Sequence, residues 1–203
     1  MTLATNLMAE YWRQNFSSRL PAGYREVEYI ESTGAQWIDT GVKDLYAYMD
    51  IFPTEPNGTG QQLCGYTSRA SEYFFVELGK IKVQNGNSVD IPQDRFKLAF
   101  TRGTVRLNDD SDIAPPATKP TLSFKIAGLY NPSYTYGGIK AKWYDIQMRD
   151  ANHVARQLFV PCVLTADSKP GLYDLCGSIC PLTNSPFYIN AGTGADFTWG
   201  ELQ

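Results

Sequence analysis

Residues 20–41 read LPAGYREVEYIESTGAQWIDTG, and this stretch decides the fold class. Pro21 and Gly23 stop any helix that precedes them, and from Arg25 the residue types become those of strands. In Arg25–Ser32, Val27, Tyr29 and Glu31 share one face while Glu26, Glu28 and Ile30 share the other, an imperfect alternation in a strand-like composition. Gly34 and Gly41 bracket Gln36–Thr40 as turn residues do, and Trp37 and Ile38 give one large apolar group to each face of a short strand.

Outward from this block the same signals repeat. Strands are expected at Gln36–Asp39, Leu45–Phe52, Gln62–Tyr66, Tyr73–Leu78, Lys80–Gln84, Arg95–Thr101, Thr104–Leu107, Leu122–Tyr130, Ile139–Met148 and Val154–Val163, spaced roughly ten residues apart as in a sandwich or barrel. Turn signals separate them at Glu55–Gly58, Asn85–Asn87, Asn108–Ser111, Pro115–Pro116 and Gly137–Gly138. In the stretch from Ile139 the apolar residues change face partway, which marks a bulge or a strand buried on both sides. The 17 Gly and 12 Pro among 203 residues supply the turns, and 43% hydrophobic residues supply a core. One undivided all-β domain is expected from residue 21 to residue 203.

Residues 1–20 differ. Leu3, Leu7, Met8, Tyr11, Trp12 and Phe16 make an apolar stripe without Pro or Gly, and a short amphipathic helix or arm is expected. A helix of this length is marginal alone, so the stripe needs a surface, either its own domain or a partner. The segment has no basic start, unbroken apolar run or small-residue cleavage site, so it does not read as a secretory signal. No other stretch reaches the roughly 18 apolar residues of a membrane span.

Lys plus Arg number 18 against 21 Asp plus Glu, a formal charge of -3 with no basic run, so a nucleic-acid partner is not expected. Of the four cysteines, Cys176 and Cys180 have a spacing that offers two zinc ligands. No second close pair accompanies them, and the single histidine is His153. No metal or cofactor is expected, and buried apolar thiols are the simpler reading.

Two separated blocks carry a resemblance. LPAGYREVEYIESTGAQWIDTG resembles the opening of concanavalin A-like (laminin-G-like) modules of bacteriophage structural and tail proteins and of gut-bacterial surface proteins. IKAKWYDIQMRDANHVARQLFVPCVLTADSKPGLYDL (139–175) with FYINAGTGADFTWG (187–200) is similar to that family's closing hairpin and tail. The resemblance implies a jelly-roll β-sandwich of two antiparallel sheets with its first and last strands adjacent. It departs from the family where Cys176–Pro186 lengthens a hairpin that is usually short.

The same fold carries glucanases, so catalysis needs weighing. Glycoside hydrolysis needs two carboxylates about 5 to 10 Å apart. The Glu-x-Asp-x-x-Glu string that laminarinase-type members of this fold use is missing; Glu26 with Glu28 and Glu72 with Glu77 are the nearest substitutes. A Ser-His-Asp or Cys-His site would rest wholly on His153, in a turn and without a nucleophile motif. Asn108–Asp112 reads first as a turn rather than a calcium loop, and Gly192-Thr-Gly194 is too short to cradle phosphate. No catalytic residue is assigned.

Leu129–Gly138 holds three tyrosines and an amide, and Tyr130, Asn131, Tyr134 and Tyr136 are the candidate ligand-contacting residues. Saccharide stacking, protein contact and plain structure remain open for them. The expected function is a non-enzymatic bacteriophage virion protein: capsid decoration, head fibre, or tail or baseplate component. It would be made in the host cytoplasm, attach to other virion proteins through residues 1–20 and assemble in several copies. A carbohydrate-binding module recognising host-surface glycan is the alternative, and a glycoside hydrolase ranks last.

Overall fold

The computed structural model of the chain describes residues 19–42, 46–55, 59–65, 73–77, 79–83, 88–92, 94–101, 104–108, 123–128, 138–150, 152, 154–192 and 194–203. Among these residues there is no helix. The strands are β1 (Tyr24–Glu26), β2 (Ile30–Thr33), β3 (Ile38–Asp39), β4 (Tyr46–Pro53), β5 (Thr59–Gly65), β6 (Tyr73–Glu77), β7 (Lys80–Val83) and β8 (Ser88–Asp90). They continue as β9 (Phe96–Thr101), β10 (Thr104–Leu107), β11 (Lys125–Ile126), β12 (Lys140–Arg149), β13 (Ala155–Leu164), β14 (Lys169–Asp174), β15 (Phe187–Tyr188) and β16 (Thr198–Trp199). The helix expected near the N-terminus, with Leu3, Leu7, Met8, Tyr11, Trp12 and Phe16, lies outside the described residues.

The strands form two antiparallel sheets. The larger runs β10-β9-β4-β12-β13-β14-β15, with β1, β2 and β16 attached beside β12 and β13; the smaller runs β3-β11-β5-β6-β7-β8. Their inward side chains meet in a single core: Met49, Ile51, Leu98, Trp143, Ile146 and Phe159 from the larger sheet, and Ile38, Leu63, Cys64, Ile81 and Ile126 from the smaller. Fully burying each large apolar side chain contributes about 1.5–3 kcal/mol, so this shared core holds the sheets together.

The polarity switch in β12 has a geometric cause. Trp143 pairs with Ile51 and Ile146 with Met49, so Tyr144 and Asp145 together oppose Asp50. That bulge resets the side-chain alternation, and Ile139, Ala141, Trp143, Ile146 and Met148 all face the core. A second reset explains the imperfect alternation of Arg25–Ser32. The expected single strand breaks between β1 and β2, and buried positions pass from Val27 to Ile30 and Ser32.

The opening and closing blocks interlock. β12 and β13 pair near their turn, from Ile146 with Phe159 to Arg149 with Ala155, and then part. Residues 24–33 lie across the gap, β1 on β13 and β2 on β12. β16 takes the opposite edge of β2, and Val27 bridges to Leu202. Ser32, wholly buried, accepts a hydrogen bond from Trp143 Nε1 (2.9 Å) and donates to the Ile139 carbonyl (2.6 Å).

The motif at 20–24 closes the outer face. Tyr24 N donates to the Pro21 carbonyl (3.3 Å), and Gly23 takes φ +96°, a conformation that suits glycine. The turn places Leu20 and the Tyr24 ring on a second apolar cluster with Val160, Cys162 and Phe187, the Tyr24 ring 4.9 Å from that of Tyr173. Phe159 to Val163 are therefore buried on both sides of the sheet. Arg19 pairs with Glu26 and reaches Asp145 (3.4 Å), tying the start of the described chain to the β12 bulge.

Candidate functional site

Residues 128 and 138, the described residues on either side of 129–137, meet at a narrow neck. Gly128 and Gly138 face each other there: a Cβ on Gly128 would lie 3.7 Å from Gly138 Cα and 3.3 Å from Trp37 Cβ. A Cβ on Gly138 would lie 2.3 Å from the Ala127 carbonyl oxygen, and Gly138 N donates to the Gly34 carbonyl (2.8 Å). Ala127, fully buried, holds φ +65°, a left-handed conformation costing a non-glycine residue about 1–2 kcal/mol. Such strain persists only where the surroundings over-determine it. Tyr130, Asn131, Tyr134 and Tyr136 themselves lie outside the described residues.

Beside this neck the first block meets the tail. Buried Gln36 accepts from Thr33 N (2.8 Å) and donates to the Ala195 carbonyl (2.9 Å). Asn190 Oδ1 accepts from Trp37 N (3.2 Å) and Gly192 N (2.8 Å). Gly192 and Gly194 press on Ala35, since a Cβ on either would fall within 2.4 Å of its carbonyl oxygen or 2.5 Å of its Cβ. Their spacing thus serves close packing of the tail, not a phosphate cradle. Trp37 is half-buried, and Lys125 Nζ stands 5.4 Å from its ring centre.

Lys125 is itself held by Asp39 and by Ser123 Oγ (2.6 Å). Burial pushes the Asp39 carboxyl up, but hydrogen bonds from Lys125, Ser123 and Gly41 N outweigh it, and the group sits below its ordinary range. The ensemble is an indole face, a neutralised ion pair and several backbone groups beside the Gly128–Gly138 neck. That chemistry suits stacking on a flat apolar face with polar contacts at its rim. Gln36, Trp37, Lys125 and Asn190 were not singled out as a set from the sequence, because strands and loops far apart bring them together.

The outer face of the larger sheet carries a second aromatic array. The Arg95 guanidinium lies 3.6 Å from the Tyr144 ring centre and pairs with Asp50 (2.7 and 2.8 Å). Lys142 sits 4.2 Å over Tyr29, and Arg149 sits 3.9 Å over Tyr48 while bonding Gln147 Oε1 (2.8 Å). These cations are engaged by rings and acceptors of the protein itself.

Glu26 is occupied by Arg19, and Glu28 is exposed beyond β1. Glu72 and His153 lie outside the described residues. Asn108, at φ +52°, accepts from Lys97 N (3.0 Å) and so acts as a turn residue.

All four cysteines are free; Cys64, Cys162 and Cys180 are buried and Cys176 is exposed. Among the described residues, no three His, Cys, Asp or Glu side chains are grouped to hold a metal ion. Comparison with family profiles, curated proteins and solved structures gives no match.

Proposed function

We propose that this chain is a non-enzymatic structural or adsorption protein of a bacteriophage virion, serving as capsid decoration, head fibre, or tail or baseplate component. In this reading residues 21–203 form a concanavalin A-like jelly-roll sandwich displayed on the particle. Residues 1–20 dock on other virion proteins through Leu3, Leu7, Met8, Tyr11, Trp12 and Phe16. One observation carries the reading: the two blocks that resemble the phage modules, far apart in sequence, bond directly to each other. Gln36 with Ala195 and Ser32 with Trp143 are two of those bonds. A family likeness confined to chance strings would not require such contact.

The test is particle composition. The protein is expected in purified particles of the phage carrying the gene, labelled on the surface by antibody. A form lacking residues 1–18, which keeps Arg19 and Leu20, is expected to fold and to be missing from particles. Absence of the intact protein from particles overturns the reading, and normal incorporation of the shortened form overturns the anchor.

A second reading, host-glycan binding, is favoured by the half-buried Trp37, which packs beside Gly128. Aromatic faces stack on pyranose rings, and rigidly rooted loops suit recognition. A glycan array would then show specific binding that falls with Tyr134→Ala, Tyr136→Ala or Trp37→Ala. A blank array removes this alternative.

A further inference from the structure

One row of side chains crosses the outer face of the larger sheet. Leu158 pairs with Gln147, Gln147 with Tyr48, Tyr48 with Ala99 and Ala99 with Arg106, on β13, β12, β4, β9 and β10 in turn. These residues alternate with Phe159, Ile146, Met49 and Leu98 of the core, so their side chains point away from the smaller sheet. The middle of the row is nevertheless closed to water. Tyr48 is 8% exposed and Ala99 4%, and they form an apolar cluster separate from the core between the sheets.

Arg149 shows that this face is covered. Its guanidinium stands 3.9 Å over the outer-face ring of Tyr48 and bonds Gln147 Oε1 (2.8 Å). Charged heads on a sheet's outer face ordinarily keep to water. Arg149 is only 5% exposed. A planar guanidinium has two faces, and the Tyr48 ring occupies one of them. Something else lies over the other.

The start of the described chain indicates what that is. Leu20 packs with Val160 and Cys162 of β13, and the Arg19 side chain reaches Asp145 at the β12 bulge (3.4 Å). Going back from residue 20 to residue 19, contacts pass from β13 to β12, and β4 and β9 come next across the sheet. Five strands at about 4.8 Å spacing make a row roughly 19 Å long, and residues 1–18 reach about 27 Å even when helical. Their apolar stripe, Leu3, Leu7, Met8, Tyr11, Trp12 and Phe16, needs a surface, and their one acidic residue, Glu10, would meet two cations, Arg106 and Arg149, on this face. Residues 109–122, another long stretch attached to this sheet, leave it at its edge from Asn108 and must return to Ser123, which bonds Lys125 in the smaller sheet.

We propose that in the free protein residues 1–18 fold back across the outer face of the larger sheet, laying their apolar stripe over Leu158, Tyr48, Ala99 and the open face of Arg149. Combined with the anchoring role proposed above, the stripe is sheathed by its own domain until a partner surface displaces it. The fold-back itself does not depend on that role.

Hydroxyl-radical footprinting of the purified full chain reads the cover directly. Tyr48 is expected to label weakly at every protein concentration. In a chain lacking residues 1–18, and in the full chain carrying Leu7→Asp with Tyr11→Asp, its labelling should rise several-fold. Tyr188, wholly buried in the core, should stay protected in both and so report an intact fold. Where the shortened chain exposes Tyr188 as well, the double variant decides. Tyr48 that stays protected in these variants overturns the proposal and assigns the cover to another segment, such as 109–122. Protection of the full chain that is lost on dilution also overturns it, since residues 1–18 of a second copy would then supply the cover. Strong labelling of Tyr48 in the full chain at all concentrations does the same. Absence of the intact protein from particles would leave this footprint unchanged, so the two proposals fail separately.

Discussion

Replacing Ser32 with alanine tests the bond that joins the opening block to the closing one. Ser32 Oγ is wholly buried; it accepts from Trp143 Nε1 at 2.9 Å, with Ala141 N a longer donor at 3.3 Å, and its single proton goes to the Ile139 carbonyl at 2.6 Å. Alanine removes the acceptor and leaves the indole N–H in a core where the lost oxygen vacates too little space for water. An orphaned buried donor costs about 1–3 kcal/mol, and the hydroxyl that no longer needs desolvation returns part of this. The expected net loss is about 2 kcal/mol.

A domain of this size shifts about 2–4 °C per kcal/mol, so the melting midpoint should fall by about 4–8 °C. Trp143→Phe takes away the N–H along with part of the ring. In that background Ser32→Ala no longer orphans an indole N–H, and its cost should shrink to about 0.5 kcal/mol, a coupling of about 1.5 kcal/mol. Urea unfolding followed by far-ultraviolet circular dichroism gives all four corners of the cycle, provided the slope is unchanged. Equal costs of Ser32→Ala in both backgrounds, or a loss below about 0.5 kcal/mol in the wild type, would refute the assigned role of this bond.

Asp39 is held below the ordinary carboxylate range, so its stabilising contribution is complete above the unfolded value near about 4 and is lost as pH falls through the folded value. Asp39→Asn should therefore be less stable at neutral pH and show a flatter acid limb below about pH 4; parallel pH profiles of the urea midpoint would contradict this. Burial, reinforced by Asp174, pushes the Cys176 thiol up to about 11, and Cys64 and Cys162 are raised by burial as well. Iodoacetamide should label one thiol in the native protein, slowly at neutral pH and faster through about pH 10, and four in urea; rapid labelling of two or more native thiols would be incompatible with this. Gly138→Ala puts a methyl group 2.3 Å from a backbone oxygen, whereas Gly177→Ala meets no atom within 4 Å and bears only its φ of +79°. Thermal melts should show the first losing about 2–4 kcal/mol and the second about 1 kcal/mol, and a reversed order would refute the close packing at the loop neck.

The longer strands showed themselves by their period, and short ones such as β3, β7 and β10 by the turn residues that bracket them. β4, β9, β12 and β13 span six to ten residues each and were all expected, as was the change of face in β12 that the structure resolves into a bulge at Tyr144–Asp145. β15 and β16 have two residues each, too few for any period, and β14 contains Pro170 and Gly171, which read locally as a turn. Gly171 is glycine because Tyr188 O would lie 2.3 Å from a Cβ there, a constraint set by β15 and invisible in the local sequence. The loop neck was legible only as Gly137–Gly138 punctuation. Its partners Gln36 and Asn190 are polar residues whose burial depends on chain segments more than 150 positions away.

These same contacts limit where specificity can reside. In the opening block Leu20 and Tyr24 are spent on the outer cluster, Ser32 on Trp143, and Gln36 on Thr33 and Ala195; Gly34 is fixed by φ +102°. Each of these groups has its partner inside the domain, and a buried polar atom that turned outward to a ligand would leave that partner unsatisfied. These residues can therefore specify the fold without contributing contacts to a partner, whereas Trp37 of the same block keeps a half-buried ring that reaches solvent. Groups with freedom to vary at low cost are those whose side chains meet solvent from a backbone fixed elsewhere. The 176–186 loop satisfies that condition, since main-chain bonds to Asp174, Thr183 and Ser185 set its shape while Ile179 and Leu182 take no part in holding it. Exchanging those two side chains should leave the melting temperature nearly unchanged, whereas exchanging Asp174, which accepts from Leu158 N, Cys176 N and Ser178 N, should lower it; equal melting temperatures would contradict this assignment.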